Sequence, residues 1–221
     1  MNVKNKFKLT SVALASAVAM GTMALPTTAS AEVGYNAAVS SMYLWRGQDV
    51  SDGPAISGGI DYSHDSGFYA SAWASSGVNG SVTNAPAGQT PGYELDLWLG
   101  YAGEVGGFGY DISVWDIDYP QVVNGTSGTE VALGLSYEGF SLGYVDGEED
   151  YKYYTLGYSY DKFGLTYGAS DAGAGSEYSH VDFSYAATDE LSFTVSKASD
   201  DGAGVAEEML ISVSYSLPIG K

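Results

Sequence analysis

The side chains best equipped for chemistry are carboxylates, and six of them recur at one place in an alternating pattern. Asp61, Glu94, Asp96, Asp111, Glu130 and Asp182 each stand among small polar residues on one side of a period-2 segment whose other side is apolar. Carboxylates fixed along a narrow wet passage favour cations over anions. Arg46 shares their face at the end of the first segment, with Asp49 and Asp52 close in sequence and Asp61 on the next segment. It could pair with these acids and shape a pore entrance, or act as a structural salt bridge that fixes the first loop. These seven residues are the expected pore lining. The alternative is a plugged barrel, in which the acids merely hydrogen-bond to Ser, Tyr and buried water.

Other chemistry is thinly represented. His180, Asp182 and Ser184 share one face, and hydrolases do combine Ser, His and an acid. No G-x-S-x-G occurs, and so many serines produce such neighbours by chance, so no catalytic residue is expected. The chain has no Cys and two His, His64 and His180, and neither a metal centre nor a cofactor is expected. The loop Asp146-Gly147-Glu148-Glu149-Asp150 and the pair Asp200-Asp201 could gather divalent ions at a cell surface, but they lack the spacing Asp-x-Asp-x-Asp-Gly and read as solvated acidic loops.

The elements that carry these side chains are strands. Alternation recurs in twelve segments, about 33–46, 55–64, 67–75, 93–101, 108–114, 130–137, 140–144, 154–160, 163–170, 180–185, 191–196 and 209–217. The fourth is the clearest: Tyr93, Leu95, Leu97, Leu99 and Tyr101 oppose Glu94, Asp96 and Gly100. Many segments have the length a tilted membrane strand needs, although the seventh and eleventh look shorter. The connections alternate in length. The first (47–54), third (76–92), fifth (118–128), seventh (146–150), ninth (171–176) and eleventh (199–207) are the longer ones, and the second (Asp65-Ser66), fourth (102–107), sixth (Glu138-Gly139), eighth (Asp161-Lys162) and tenth (186–190) are mostly shorter. Long loops at one end and short turns at the other mark an outer-membrane barrel; a soluble sandwich has no reason to sort them so.

The first residues read differently. Lys4, Lys6 and Lys8 precede an apolar run from Val12 to Leu25, and Ala29-Ser30-Ala31 supplies small residues in A-x-A spacing. That order is a secretory signal peptide, expected to be cut after Ala31. Residues 1–31 are thus expected to be the leader and residues 32–221 one barrel domain. All 27 acidic residues lie beyond the leader, whereas three of the 8 basic ones lie within it, and Arg46, Lys152, Lys162, Lys197 and Lys221 remain. So acidic a chain offers no basic patch for nucleic acid. Abundant Gly (30) and Tyr (19) suit a barrel with aromatic girdles better than a helical domain.

The stretch Tyr43-Leu44-Trp45-Arg46-Gly47-Gln48, then Pro54-Ala55, Gly58-Gly59-Ile60-Asp61-Tyr62-Ser63-His64 and Gly67-Phe68-Tyr69-Ala70, with Trp73-Ala74-Ser75, resembles the opening of the TorF family of porins. The similarity continues through Tyr93-Glu94-Leu95-Asp96, Gly100-Tyr101, Tyr110-Asp111 and Tyr119-Pro120. Two features depart from that family: Asp49-Val50-Ser51-Asp52 is more acidic, and the chain ends Leu217-Pro218-Ile219-Gly220-Lys221, with Tyr215 the nearest aromatic to the end. The resemblance implies a proteobacterial outer-membrane barrel of porin type and supplies no substrate.

The expectation is therefore an all-β, single antiparallel up-and-down transmembrane barrel of about twelve strands, in the outer membrane of a Gram-negative bacterium, with both termini periplasmic. It would pass small cationic or neutral solutes by diffusion. Its expected partners are outer-membrane lipid, lipopolysaccharide and the barrel-assembly machinery. The competing expectation is a non-conducting surface barrel whose acidic loops bind divalent ions.

Overall fold

The computed structural model describes residues 31–51, 53–78, 92–120, 127–173 and 175–219. The predicted leader as far as Ser30 lies outside the described residues, as do Asp52 and most of the third loop. Twelve strands close into a barrel: β1 (Glu32–Ser40), β4 (Ala55–Ser63), β5 (Phe68–Val78), β6 (Gly92–Val105), β7 (Phe108–Asp118), β8 (Gly128–Tyr137), β9 (Phe140–Asp146), β10 (Lys152–Tyr160), β11 (Phe163–Asp171), β12 (Glu177–Ala186), β13 (Leu191–Asp201) and β14 (Met209–Ser216). Two short strands, β2 (Leu44–Trp45) and β3 (Gln48–Asp49), form a separate hairpin. Every pairing is antiparallel between sequence neighbours in the barrel, and β14 closes it on β1 through Ala38–Ser216, Val39–Tyr215 and Ser40–Ser214.

Alternation explains the sidedness. On β6, Leu97 and Leu99 are exposed on one face while Glu94 and Asp96 are buried on the other. The same holds round the ring, with Ile60, Ile112, Leu133, Leu142, Leu156, Leu165, Phe183 and Ile211 all facing out. Among the described residues no second layer covers that apolar surface, which suits lipid as its solvent, where a closed barrel leaves no unpaired strand edge. Aromatic pairs girdle the short-turn end: Phe68 with Tyr101 at 5.2 Å, Phe108 with Tyr137 at 4.2 Å and Phe140 with Tyr158 at 4.6 Å between ring centres. No helix of the described residues is long and apolar enough to cross a membrane.

Three boundaries differ from the sequence reading. The fourth connection is only the turn Gly106-Gly107, both at positive φ (61° and 86°), which matches the twist of a tight hairpin and lets β6 and β7 run longer than their apolar residues advertise. The eleventh segment is not short: β13 continues through Lys197 and Ala198 to Asp201, held by pairing to Tyr178 and Ser179. The first segment is two elements. β1 stops at Ser40, the chain bends at Ser41-Met42, and Tyr43 to Asp49 leave the wall as the β2–β3 hairpin.

Candidate functional site

The barrel interior is unevenly furnished. From β13 and β14 come mostly small inward side chains: Ser192, Thr194, Ser196 and Ala198, then Ser212 and Ser214, all buried. From β5 to β7 come large ones: Tyr69, Trp73, Trp98 and Trp115, the last two stacked at 4.5 Å. The β2–β3 hairpin occupies the space between. Leu44 and Val50 are buried, and Tyr43 packs against Trp73 and Trp45 at 5.7 and 6.2 Å between ring centres.

Arg46 forms the hairpin tip at φ +47°, beside Gly47 at +80°. Its guanidinium spans the interior to β8: Nη1 donates to Glu130 Oε1 at 2.9 Å and Nη2 to Oε2 at 2.6 Å, a two-pronged charge-assisted pair. Nη1 also donates to the Tyr151 hydroxyl at 2.7 Å, and the cation lies over the rings of Trp45, Tyr151 and Tyr153 at 4.7 to 5.2 Å. The expected pairing of Arg46 with Asp49, Asp52 or Asp61 is corrected here. Asp49 accepts from Ser51, Asp52 lies outside the described residues, and Asp61 accepts from Asn36 and Ser71. The cause is the bend after Ser40, which carries Arg46 off the wall and across the barrel.

Gly47 rests against His180. A Cβ there would collide with His180 Cγ and Cβ, so no larger residue fits without displacing the ring. His180 sits in a chain of hydrogen bonds: the Tyr153 hydroxyl lies 2.6 Å from Nε2, Nδ1 lies 3.0 Å from Asp182 Oδ1, and Ser196 donates to the same carboxylate oxygen. Both ring nitrogens are thus engaged by Tyr153 and Asp182. Ser196 reaches the acid rather than the imidazole, so the His–Ser contact that hydrolysis needs is not made by these groups.

All six predicted carboxylates project to the inner side, and five of them, all but Asp96, accept hydrogen bonds instead of standing as the bare charges of a simple acidic ring. Glu94 accepts from the Tyr43 hydroxyl at 2.6 Å, and Asp111 accepts from Tyr69 at 2.7 Å. Burial, with Glu94 and Asp96 adding their charge, raises the Tyr43 phenol well above its ordinary pKa, so it remains a donor. Tyr119, just past β7, is raised likewise by burial and then by the charge and hydrogen bond of Glu94. Asp96 differs: it is 2% exposed, and its Oδ1 has no hydrogen-bond partner.

The functional residues missed by sequence reasoning are Tyr43, Tyr119, Tyr151 and Tyr153. Tyr43 and Trp45 fit the apolar face of an unbroken first strand. Tyr153 directly precedes the outward Tyr154, so only the parity of β10 could have singled it out.

The family model described as "Bacterial protein of unknown function (Gcw_chp)" matches residues 24–206. The chain belongs to the Gcw_chp family. No curated protein matches this Gcw_chp chain. Among solved structures, it is similar to a KdgM porin in complex with disordered oligogalacturonate, at 12% identity, over 85% of this chain and 100% of that one, with a TM-score of 0.53. At that identity the likeness concerns the fold, a porin-type barrel.

Proposed function

We propose that this Gcw_chp protein is an outer-membrane channel for small cationic or neutral solutes, narrowed by its own first loop. The observation that carries the reading is the β2–β3 hairpin inside the barrel, latched by Arg46 to Glu130. A barrel needing only a plug could fill its interior with apolar side chains. A buried polar latch between a loop and a wall can instead hold two arrangements that differ by a few kcal/mol. The porin fold and the resemblance to the TorF family support the same reading. With the long loops outside, both termini lie on the periplasmic side. The assembly machinery inserts the barrel, and lipid and lipopolysaccharide surround it.

The solute class follows from charge. The KdgM porin is described with oligogalacturonate, a polyanion. Here the inner side carries Asp61, Glu94, Asp96, Asp111, Glu130 and Asp182. Arg46 is its one Lys or Arg among the described residues and is already paired. Such a wall repels polyanions, and about 0.1 M salt, with a Debye length near 10 Å, leaves its field spanning a narrow lumen.

Planar-bilayer recording of the refolded mature protein tests both parts. Conductance steps with a cation-selective reversal potential are expected. Glu94→Gln with Asp96→Asn should lower the cation preference more than Glu148→Gln with Glu149→Gln, because the strand acids are fixed in the wall and the loop acids are hydrated. A folded barrel without steps sinks the channel. Selectivity that shifts only in the loop variant sinks the lining. The second reading, a non-conducting surface barrel, is favoured by the Trp98–Trp115 stack and the Tyr43–Trp73 contact, which fill one side of the interior. Absence of steps would select it.

A further inference from the structure

We infer that Glu94 and Asp96 form a cation-binding site inside the barrel, and that its ligand is a hard divalent cation held loosely by carboxylate oxygens. The two acids stand two residues apart on β6, so both project to the same side, about 7 Å apart at their Cα atoms. Each is 2% exposed. The two side chains lie within hydrogen-bonding reach of each other, and two desolvated carboxylates so close repel unless a shared proton or a metal cation lies between them. Arg46 lends both acids part of its field but touches neither, because its terminal nitrogens are committed to Glu130 and Tyr151.

The second observation is the orphaned oxygen. Glu94 is stabilised by the hydroxyl of Tyr43, whereas Asp96 Oδ1 is buried without any donor. A buried carboxylate oxygen left without a partner is costly, and a metal ion would satisfy it together with its neighbour. Neither cross-strand neighbour donates to that oxygen, although Trp73 lies directly across from Asp96 on β5 and Ile117 on β7. No group of three or more His, Cys, Asp or Glu side chains converges among the described residues. Two carboxylates with water completing the shell suit an oxygen-seeking ion of calcium type and a weak, exchangeable site rather than a structural metal. Tyr43 rides on the β1–β4 loop, so the loop that enters the barrel also covers the site.

Terbium(III), which takes the same oxygen ligands, is the probe. Sensitised terbium emission on tryptophan excitation of the refolded full barrel is expected, because Trp73 is adjacent, and calcium should compete it away where potassium does not. Glu94→Gln with Asp96→Asn should weaken terbium binding about tenfold or more, a difference of about 1.4 kcal/mol. Glu148→Gln with Glu149→Gln should leave it unchanged. If the double strand variant does not fold by heat-modifiable gel mobility, the near-isosteric Asp96→Asn decides, and Trp73→Phe in an otherwise native barrel should dim the emission. Emission that is absent, or that survives the strand variants, or that is lost with the loop acids or unaltered in Trp73→Phe, overturns the site. The signal reads binding and not current, so a barrel that binds terbium without conducting separates this inference from the channel reading.

Discussion

Replacing Arg46 with alanine gives the sharpest test of the latch. The substitution removes three hydrogen bonds, two to Glu130 and one to Tyr151, together with contacts over three aromatic rings. Breaking a buried ion pair by deleting one partner costs about 3–5 kcal/mol, because the other charge is left stranded. The Glu130 side chain is 14% exposed against 4% for Arg46, so water can partly rescue it, which argues for the low end, about 3 kcal/mol. Nearly all of that loss falls on the docked hairpin and little on the barrel ladder, since Arg46 makes no strand pair in the wall. At 1.4 kcal/mol per tenfold, the ratio of released to docked hairpin should rise about 150-fold. Single-channel recording should then show a larger mean conductance and fewer closures, while the heat-modifiable gel shift stays that of a folded barrel. Glu130→Ala should act in the same direction, and the double variant should fall well short of the sum of the two, as expected for partners in one pair. If folded Arg46→Ala keeps the native conductance distribution, the hairpin is not a latch.

Gly47→Ala should loosen the same hairpin from its other side. The added Cβ meets the His180 ring on a backbone at φ +80°, a cost of about 1–3 kcal/mol, visible as faster amide hydrogen exchange at Trp45, which pairs with Gln48, and at Val50, which donates to the Tyr43 carbonyl at 2.9 Å. Native protection at those amides would refute the packing. Leu133→Arg, on the outward face of β8, should hinder folding into vesicles by about 2–4 kcal/mol, as a charge at mid-membrane does. Folding yields equal to those of the native chain would remove the lipid belt from that face.

Much of this architecture was open to reading in the residues, and the part that was not has one cause. Period-2 patterning around Leu95, Leu97 and Leu99 places Glu94 and Asp96 inward by geometry alone, because neighbouring side chains on a strand cannot share a face. Loop lengths added the sorting of the two ends. What patterning cannot report is where a strand leaves the wall. Val39, Ser41, Tyr43 and Trp45 alternate as well as any strand, yet only Val39 lies in a strand of the barrel. An inward hairpin buries the same apolar side chains that a lipid-facing strand exposes, so the two look alike until Arg46 finds Glu130, 84 positions away. Partners of that separation belong to the closed ring and not to any local sequence. The inward tyrosines escaped for a related reason: phenols suit girdle and interior equally, and only the parity of each strand tells them apart.

The way β1 is fastened has a mechanical consequence. On one side it is zipped to β4 along nine residue pairs, from Glu32–Ser63 to Ser40–Ala55, and on the other to β14 along three. Immediately beyond the short seam, Ser41 clasps Val213 twice, its amide giving to the carbonyl at 2.8 Å and its hydroxyl taking the returning amide at 2.9 Å. That clasp is the fulcrum between the staves of the barrel and the arm that reaches into it. Any pull on the arm is borne there, so torque applied at Arg46 arrives as strain on the last joint of the cask, and a tighter seam makes a stiffer door.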